Sequence, residues 1–136
     1  METRDELLLA YKGTTIGIVT KDSSPEEKFQ NETLRPILKF QNDLFIEVFR
    51  NYAIKQKGLF FSLSPEKKMN YIENTIQRDI KFRNSLKGII IGMFTVTEYK
   101  EYILNSSNLN KRMMNLLIER IKNQIQLFEL IERNAV

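Results

Sequence analysis

The stretch Ser64-Pro65-Glu66-Lys67-Lys68-Met69-Asn70-Tyr71-Ile72-Glu73-Asn74-Thr75-Ile76-Gln77-Arg78-Asp79-Ile80 decides the fold class. Serine, proline and an acid in that order form a helix start. The Ser64 oxygen can satisfy an orphan amide, Pro65 suits the first helical position, and Glu66 sits at the positive end of the helix dipole. Met69, Ile72, Ile76 and Ile80 then recur at steps of three and four, the period of a helix with one buried face. This helix is expected to run to about Leu86.

Upstream, Ser24-Pro25-Glu26-Glu27 repeats the signal, with Glu27 placed to complete a capping box. The helix it opens should reach about Lys57 and end at Gly58. Pro36 should kink or split it near Leu34-Arg35, because proline lacks the backbone donor and disfavours helix in the residue before it. Leu34, Ile37, Leu38, Leu44, Phe45, Val48, Phe49 and Tyr52 fall on one stripe of this helix.

Downstream, Gly88-Ile89-Ile90-Ile91-Gly92-Met93-Phe94 can be read as buried helix or as an extended apolar segment, and helix is preferred. Thr95-Val96-Thr97-Glu98 is a further capping box, and no proline follows it. A third long helix should start there, with Ile103, Met114, Leu117, Ile121, Ile125 and Phe128 inward. The stretch 105–108, Asn-Ser-Ser-Asn, is weak enough to break it.

The expected fold is therefore all-α: an irregular bundle of three long helices, the first kinked at Pro36. Residues 25–136 form a single helical domain. Residues 1–24 form a partly flexible N-terminal arm with a short helix-like piece from Asp5 to Lys12. The strand-like run at 13–20 has no second run to pair with.

Of the 136 residues, 42% are hydrophobic and 28% charged, the balance of one ordinary globular domain. Histidine and cysteine are both absent, which removes imidazole acid–base catalysis, thiol nucleophiles, disulfides and His/Cys metal sites. No glycine-rich phosphate loop is present, and Gly88 and Gly92 lack the third glycine of a dinucleotide fingerprint. No cofactor or metal is expected. The acidic start and the short run Leu7-Leu8-Leu9-Ala10 do not resemble a secretory leader. The longest apolar run falls well short of the roughly 18–20 residues that span a bilayer. Together with the missing cysteines, this gives a cytoplasmic expectation.

The net charge of +4 is uneven: residues 1–54 carry 7 bases and 9 acids, 55–88 carry 8 and 3, and 89–136 carry 6 and 5. The cluster Glu98, Tyr99, Lys100, Glu101 and Tyr102 is no ready-made site, since helical neighbours one or two apart do not face one another. Projection of the second helix puts Arg83 in line with Ile72, Ile76 and Ile80, with Asp79 one turn before it at a favourable ion-pair spacing. Gln41 falls among apolar residues of the first helix, and Ser106 and Asn110 fall between Ile103 and Met114 of the third. Polar groups on a core face need partners. Arg83, Asp79, Gln41, Asn110 and Ser106 are therefore a candidate pocket for a carboxylate or phosphate, or else a structural ion pair.

The basic 67–87 segment, with Phe82 outward, offers a weaker nucleic-acid reading. Phe40, Ile46, Phe82, Leu116, Ile118 and Leu127 lie off the stripes and are candidates for a homo-oligomer or partner surface. The leading functional reading is a small non-enzymatic interaction or regulatory protein. An anion pocket around Arg83, with or without turnover, is the alternative, and nucleic-acid binding comes third.

Residues 31–42 (Asn-Glu-Thr-Leu-Arg-Pro-Ile-Leu-Lys-Phe-Gln-Asn), 79–83 (Asp-Ile-Lys-Phe-Arg) and 110–114 (Asn-Lys-Arg-Met-Met) resemble a family of small flavobacterial (Bacteroidetes) proteins often labelled glyoxalase. That label implies a metal-dependent lyase acting on a thiol adduct of methylglyoxal. The glyoxalase I fold it resembles uses paired βαβββ modules whose His, Gln and Glu side chains hold the metal. A chain with no histidine and no alternating strands lacks that ligand set and scaffold, so no catalytic residue is carried over from it.

Overall fold

The computed structural model describes residues 3–12 and 23–128. Among them the chain is all-helical, in the order α1 (Arg4–Lys12), α2 (Pro25–Phe29), a π-helical turn (Gln30–Leu34), α3 (Arg35–Phe40), α4 (Asn42–Lys55), a 3-10 turn (Leu59–Ser62), α5 (Pro65–Arg78), α6 (Ile80–Ile91), α7 (Val96–Tyr102) and α8 (Ser106–Lys122). A further helical stretch occupies 126–128. The all-α class stands, but the expected three long helices are cut into shorter ones. No described helix is long and apolar enough to cross a membrane. The strand-like run at 13–20 lies outside the described residues.

Each expected start is capped by its own side chain. Ser24 accepts from the Glu27 amide and Ser64 from the Lys67 amide, and Thr95 and Glu98 form a complete capping box. The first long helix is irregular next to Pro36, as expected there. The turn before it widens, and the Arg35 amide reaches back five residues to the Gln30 carbonyl. Pro36 has no donor and its ring crowds the preceding turn, which an i+5 pattern relieves. A second break, which periodicity does not foretell, falls at Gln41 (φ −92, ψ 7). The third long helix is interrupted between Tyr102 and Ser106, next to its weak stretch.

The largest correction is in the second helix. It stops at Arg78, and Asp79 is extended (φ −81, ψ 94). The Asp79 carboxylate accepts from the Phe82 amide at 3.1 Å, capping α6, and from the Tyr52 hydroxyl at 2.6 Å. A short acid side chain competes well for backbone donors, and here it restarts the helix. The inward face then passes from Ile72 and Ile76 to Phe82, Leu86 and Ile90, and Ile80 is left 63% exposed. Gly88 to Ile91 continue α6 as helix.

The core centres on Phe49, whose ring meets Phe60 at 5.3 Å and Phe128 at 5.5 Å. Phe82 stacks on Tyr52 at 4.0 Å beside it. From α8, Leu109, Met113, Leu117 and Ile121 join this core. Leu44 and Ile103, expected inside, are exposed; Ile46, Phe82 and Ile118, expected on an outer surface, are buried. Leu116 and Leu127 are half-buried, so Phe40 alone of the six surface candidates stays exposed, with Tyr11 stacked on it at 4.0 Å. Leu44, Ile46, Ile80 and Phe82 lie just beyond the breaks at Gln41 and Asp79, where a shift of one residue turns a helical face by about 100°.

Helix α1 buries no residue and is fastened by polar contacts. Arg4 donates to the Gly92 carbonyl at 2.8 Å, and Asp5 accepts from the Val96 amide at 3.1 Å. The Lys12 ammonium pairs with Glu98 in a largely buried contact. Glu98 also accepts from the Thr95 amide and the Thr33 hydroxyl.

Candidate anion-binding site

The sequence-derived pocket does not assemble. Asp79 is engaged by Phe82 and Tyr52, and the half-buried Arg83 donates to the Gln77 carbonyl at 3.3 Å, so the expected ion pair is not made. The break at Asp79 turns Arg83 off the inner face that a continuous helix would give it. Asn110 accepts from the Tyr102 hydroxyl at 2.6 Å and ties α7 to α8. Gln41 marks the α3–α4 break, and Ser106 opens α8. None of these five residues lines any of the three main clefts among the described residues. The basic 67–87 segment also fails to present one face, since Lys68 and Phe82 are buried.

A different pair of arginines is brought together. Between α3 and α8 lies a cleft of about 330 Å³ lined by Arg35, Leu38, Leu116, Glu119, Arg120, Asn123 and Gln124. Arg35 projects from the turn beside Pro36, and its Nε donates to Asn31 Oδ1 at 2.9 Å. Arg120 comes from the opposite wall, and its Nη1 approaches Asn42 Oδ1 at 3.4 Å. Asn42 and Gln124 bond each other reciprocally at 2.8 Å in both directions. Burial holds the Arg120 guanidinium below its ordinary value, and the charge of Arg35 adds to the effect.

Neither arginine makes an ion pair among the described residues. Among the described residues each meets an amide oxygen alone, which satisfies one donor and neutralises no charge. Glu119, the one acid on the lining, lies 3.7 Å from Lys122. Two half-buried cations with unused donors, neither paired with an acid among the described residues, make a seat for an oxyanion.

The other two clefts differ in character. One of about 500 Å³ lies among α2, the π-turn, α7 and α8, with Phe29, Leu104 and Leu109 as apolar walls and Glu26, Glu32 and Glu101 nearby. The Glu26 carboxyl is held below its ordinary value, first by a backbone hydrogen bond and then by Asn105. A smaller one of about 220 Å³ sits between Arg4 and Tyr99. The larger of the two mixes Lys28 with its acids, and the smaller has Arg4 as its one charged side chain. Among the described residues no group of three or more acids is arranged to hold a metal.

The chain matches no protein-family model, no curated protein and no solved structure.

The sequence carried a usable signal for this site. Arg120 has Leu116, Leu117, Asn123 and Gln124 at the helical pairing distances and no acid among them, whereas Arg35 has Glu32 three residues before it, across the widened turn Gln30–Leu34, and makes no ion pair with it. A base with no local acid must find a distant partner or remain unpaired. Sequence does not say which.

Proposed function

We propose that this protein is a non-enzymatic binding protein that takes a small oxyanion, a carboxylate or a phosphate, between Arg35 and Arg120. The observation that carries this reading is the convergence of two guanidiniums from opposite walls of one cleft, each met, among the described residues, by a neutral amide alone. Guanidinium forks match oxyanions in geometry and charge, and hydrogen bonds to charged groups are worth about 1.5–3 kcal/mol each. Binding rather than turnover is favoured by the lining itself. Guanidinium and amide groups relay no proton near neutral pH, and Glu119 faces Lys122 at the rim.

Isothermal titration at low ionic strength with orthophosphate and with citrate tests it. The wild type should bind at least one of them, and Arg120→Met or Arg35→Gln should weaken binding by about tenfold or more. Equal affinity in the variants, or no binding by the wild type at millimolar anion, refutes the reading.

A further inference from the structure

Beyond the arginine cleft, α8 carries a third arginine on the same side. Arg112 lies eight residues before Arg120, with Leu116 midway, and steps of four keep all three on one stripe of the helix. At 1.5 Å per residue the two arginines are separated by about 12 Å along the axis. Arg112 Nη1 donates to Gln30 Oε1 at 2.9 Å, Arg35 Nε to Asn31 Oδ1 at 2.9 Å, and Arg120 Nη1 approaches Asn42 Oδ1 at 3.4 Å. The π-turn, α3 and the start of α4 thus form one wall and α8 the other. Three guanidiniums lie along this seam, each bonded to an amide and, among the described residues, none to a carboxylate.

We propose that the seam between these walls binds an extended oligophosphate along its surface, seated at one end in the cleft of Arg35 and Arg120 and at the other by Arg112. This rests on the reading of the Arg35–Arg120 cleft as an anion site and names the ligand that site takes. A single small ion would neutralise one end and leave the other cation exposed to no partner. A chain of phosphates reaches both, and the second contact is then made at high effective concentration. Phosphate is favoured over carboxylate by the placement of the first two arginines. They approach from opposite walls, and a tetrahedral group presents oxygens to both, whereas a planar carboxylate matches one fork. Two acids lie nearby. Glu26 opposes Arg112 only through space while its carboxylate is bonded to Asn105, and Glu119 lies close to Lys122.

The test is a titration series with orthophosphate, pyrophosphate, tripolyphosphate and a longer linear polyphosphate, on wild type, Arg112→Gln and Lys111→Gln. Lys111 is the exposed neighbour of Arg112 and controls for unspecific attraction. The affinity should rise by about tenfold or more with chain length and then level off once the ligand spans the seam. Arg112→Gln should abolish that rise while leaving orthophosphate affinity within about twofold, and Lys111→Gln should leave the rise in place. A rise that survives Arg112→Gln, or that Lys111→Gln reduces equally, overturns the proposal. So does an oligoglutamate peptide that binds as tightly as polyphosphate, which would make the ligand an acidic peptide. Failure of the underlying site has a separate signature: orthophosphate and pyrophosphate then show no dependence on Arg35 or Arg120.

Discussion

Replacing Arg120 by methionine is expected to stabilise the ligand-free protein. Two guanidiniums on opposite walls of one cleft, near enough for the charge of Arg35 to act on Arg120, repel by on the order of 1 kcal/mol in a partly solvated site. Both are half-exposed, and solvent and salt screening bring this to roughly 0.5–1 kcal/mol. Against this gain, the substitution removes the long hydrogen bond to Asn42 at 3.4 Å. Such a bond is worth about 0.5 kcal/mol, and removing it strands no partner, because Asn42 and Gln124 satisfy each other. The methionine stem keeps the packing of the arginine stem against Leu38 and Leu116, at a gain of a few tenths of a kcal/mol. The net expectation is a gain of about 0.3–0.8 kcal/mol, or roughly 1–3 °C in Tm. Urea unfolding in a low-salt, phosphate-free buffer measures it, and the gap between variant and wild type should narrow as sodium chloride is added. A loss of more than about 1 kcal/mol would mean that the guanidinium is a structural tie and not a vacant seat.

Other consequences can be checked independently. Leu86→Ala should cost about 2–5 kcal/mol and Ile80→Ala under about 1 kcal/mol, because Leu86 is fully buried and Ile80 is exposed; urea midpoints in the reverse order would contradict the phase slip at Asp79. Lys12→Met should raise amide exchange across α1 by about tenfold or more while global Tm moves by only a few degrees, since α1 buries no residue and can detach alone. Equal loss of protection throughout the chain would tell against that. The Asp79 carboxyl is held below its ordinary value, mainly by the Tyr52 hydroxyl and then by the Phe82 amide. Its contribution to stability is therefore complete above the unfolded carboxylate value and is lost as pH falls through the lower folded one, a window below about pH 4. Asp79→Asn keeps a capping side chain but cannot titrate, so its acid unfolding curve should be flatter there; superimposable curves would reject the assignment.

Local chemistry alone determined the helical class and the places where helices begin. Ser24, Ser64 and Thr95 cap as their sequence neighbours dictate, because a cap is a contact between residues three apart. The irregularity next to Pro36 was legible for the same reason, as was the interruption near residue 105. What tertiary structure decided was the phase of each face after a break. Whether Asp79 pairs with Arg83 or caps α6 depends on Tyr52, which is distant in sequence and donates to its carboxylate. That choice placed Phe82 in the core and left Arg83 outside any of the main clefts. The placing of Arg35 and Arg120 on one cleft likewise depends on α8 packing beside the π-turn that leads into α3, a long-range outcome with no short-range cause. Periodicity reports direction relative to a helix axis, and only packing fixes where that axis points.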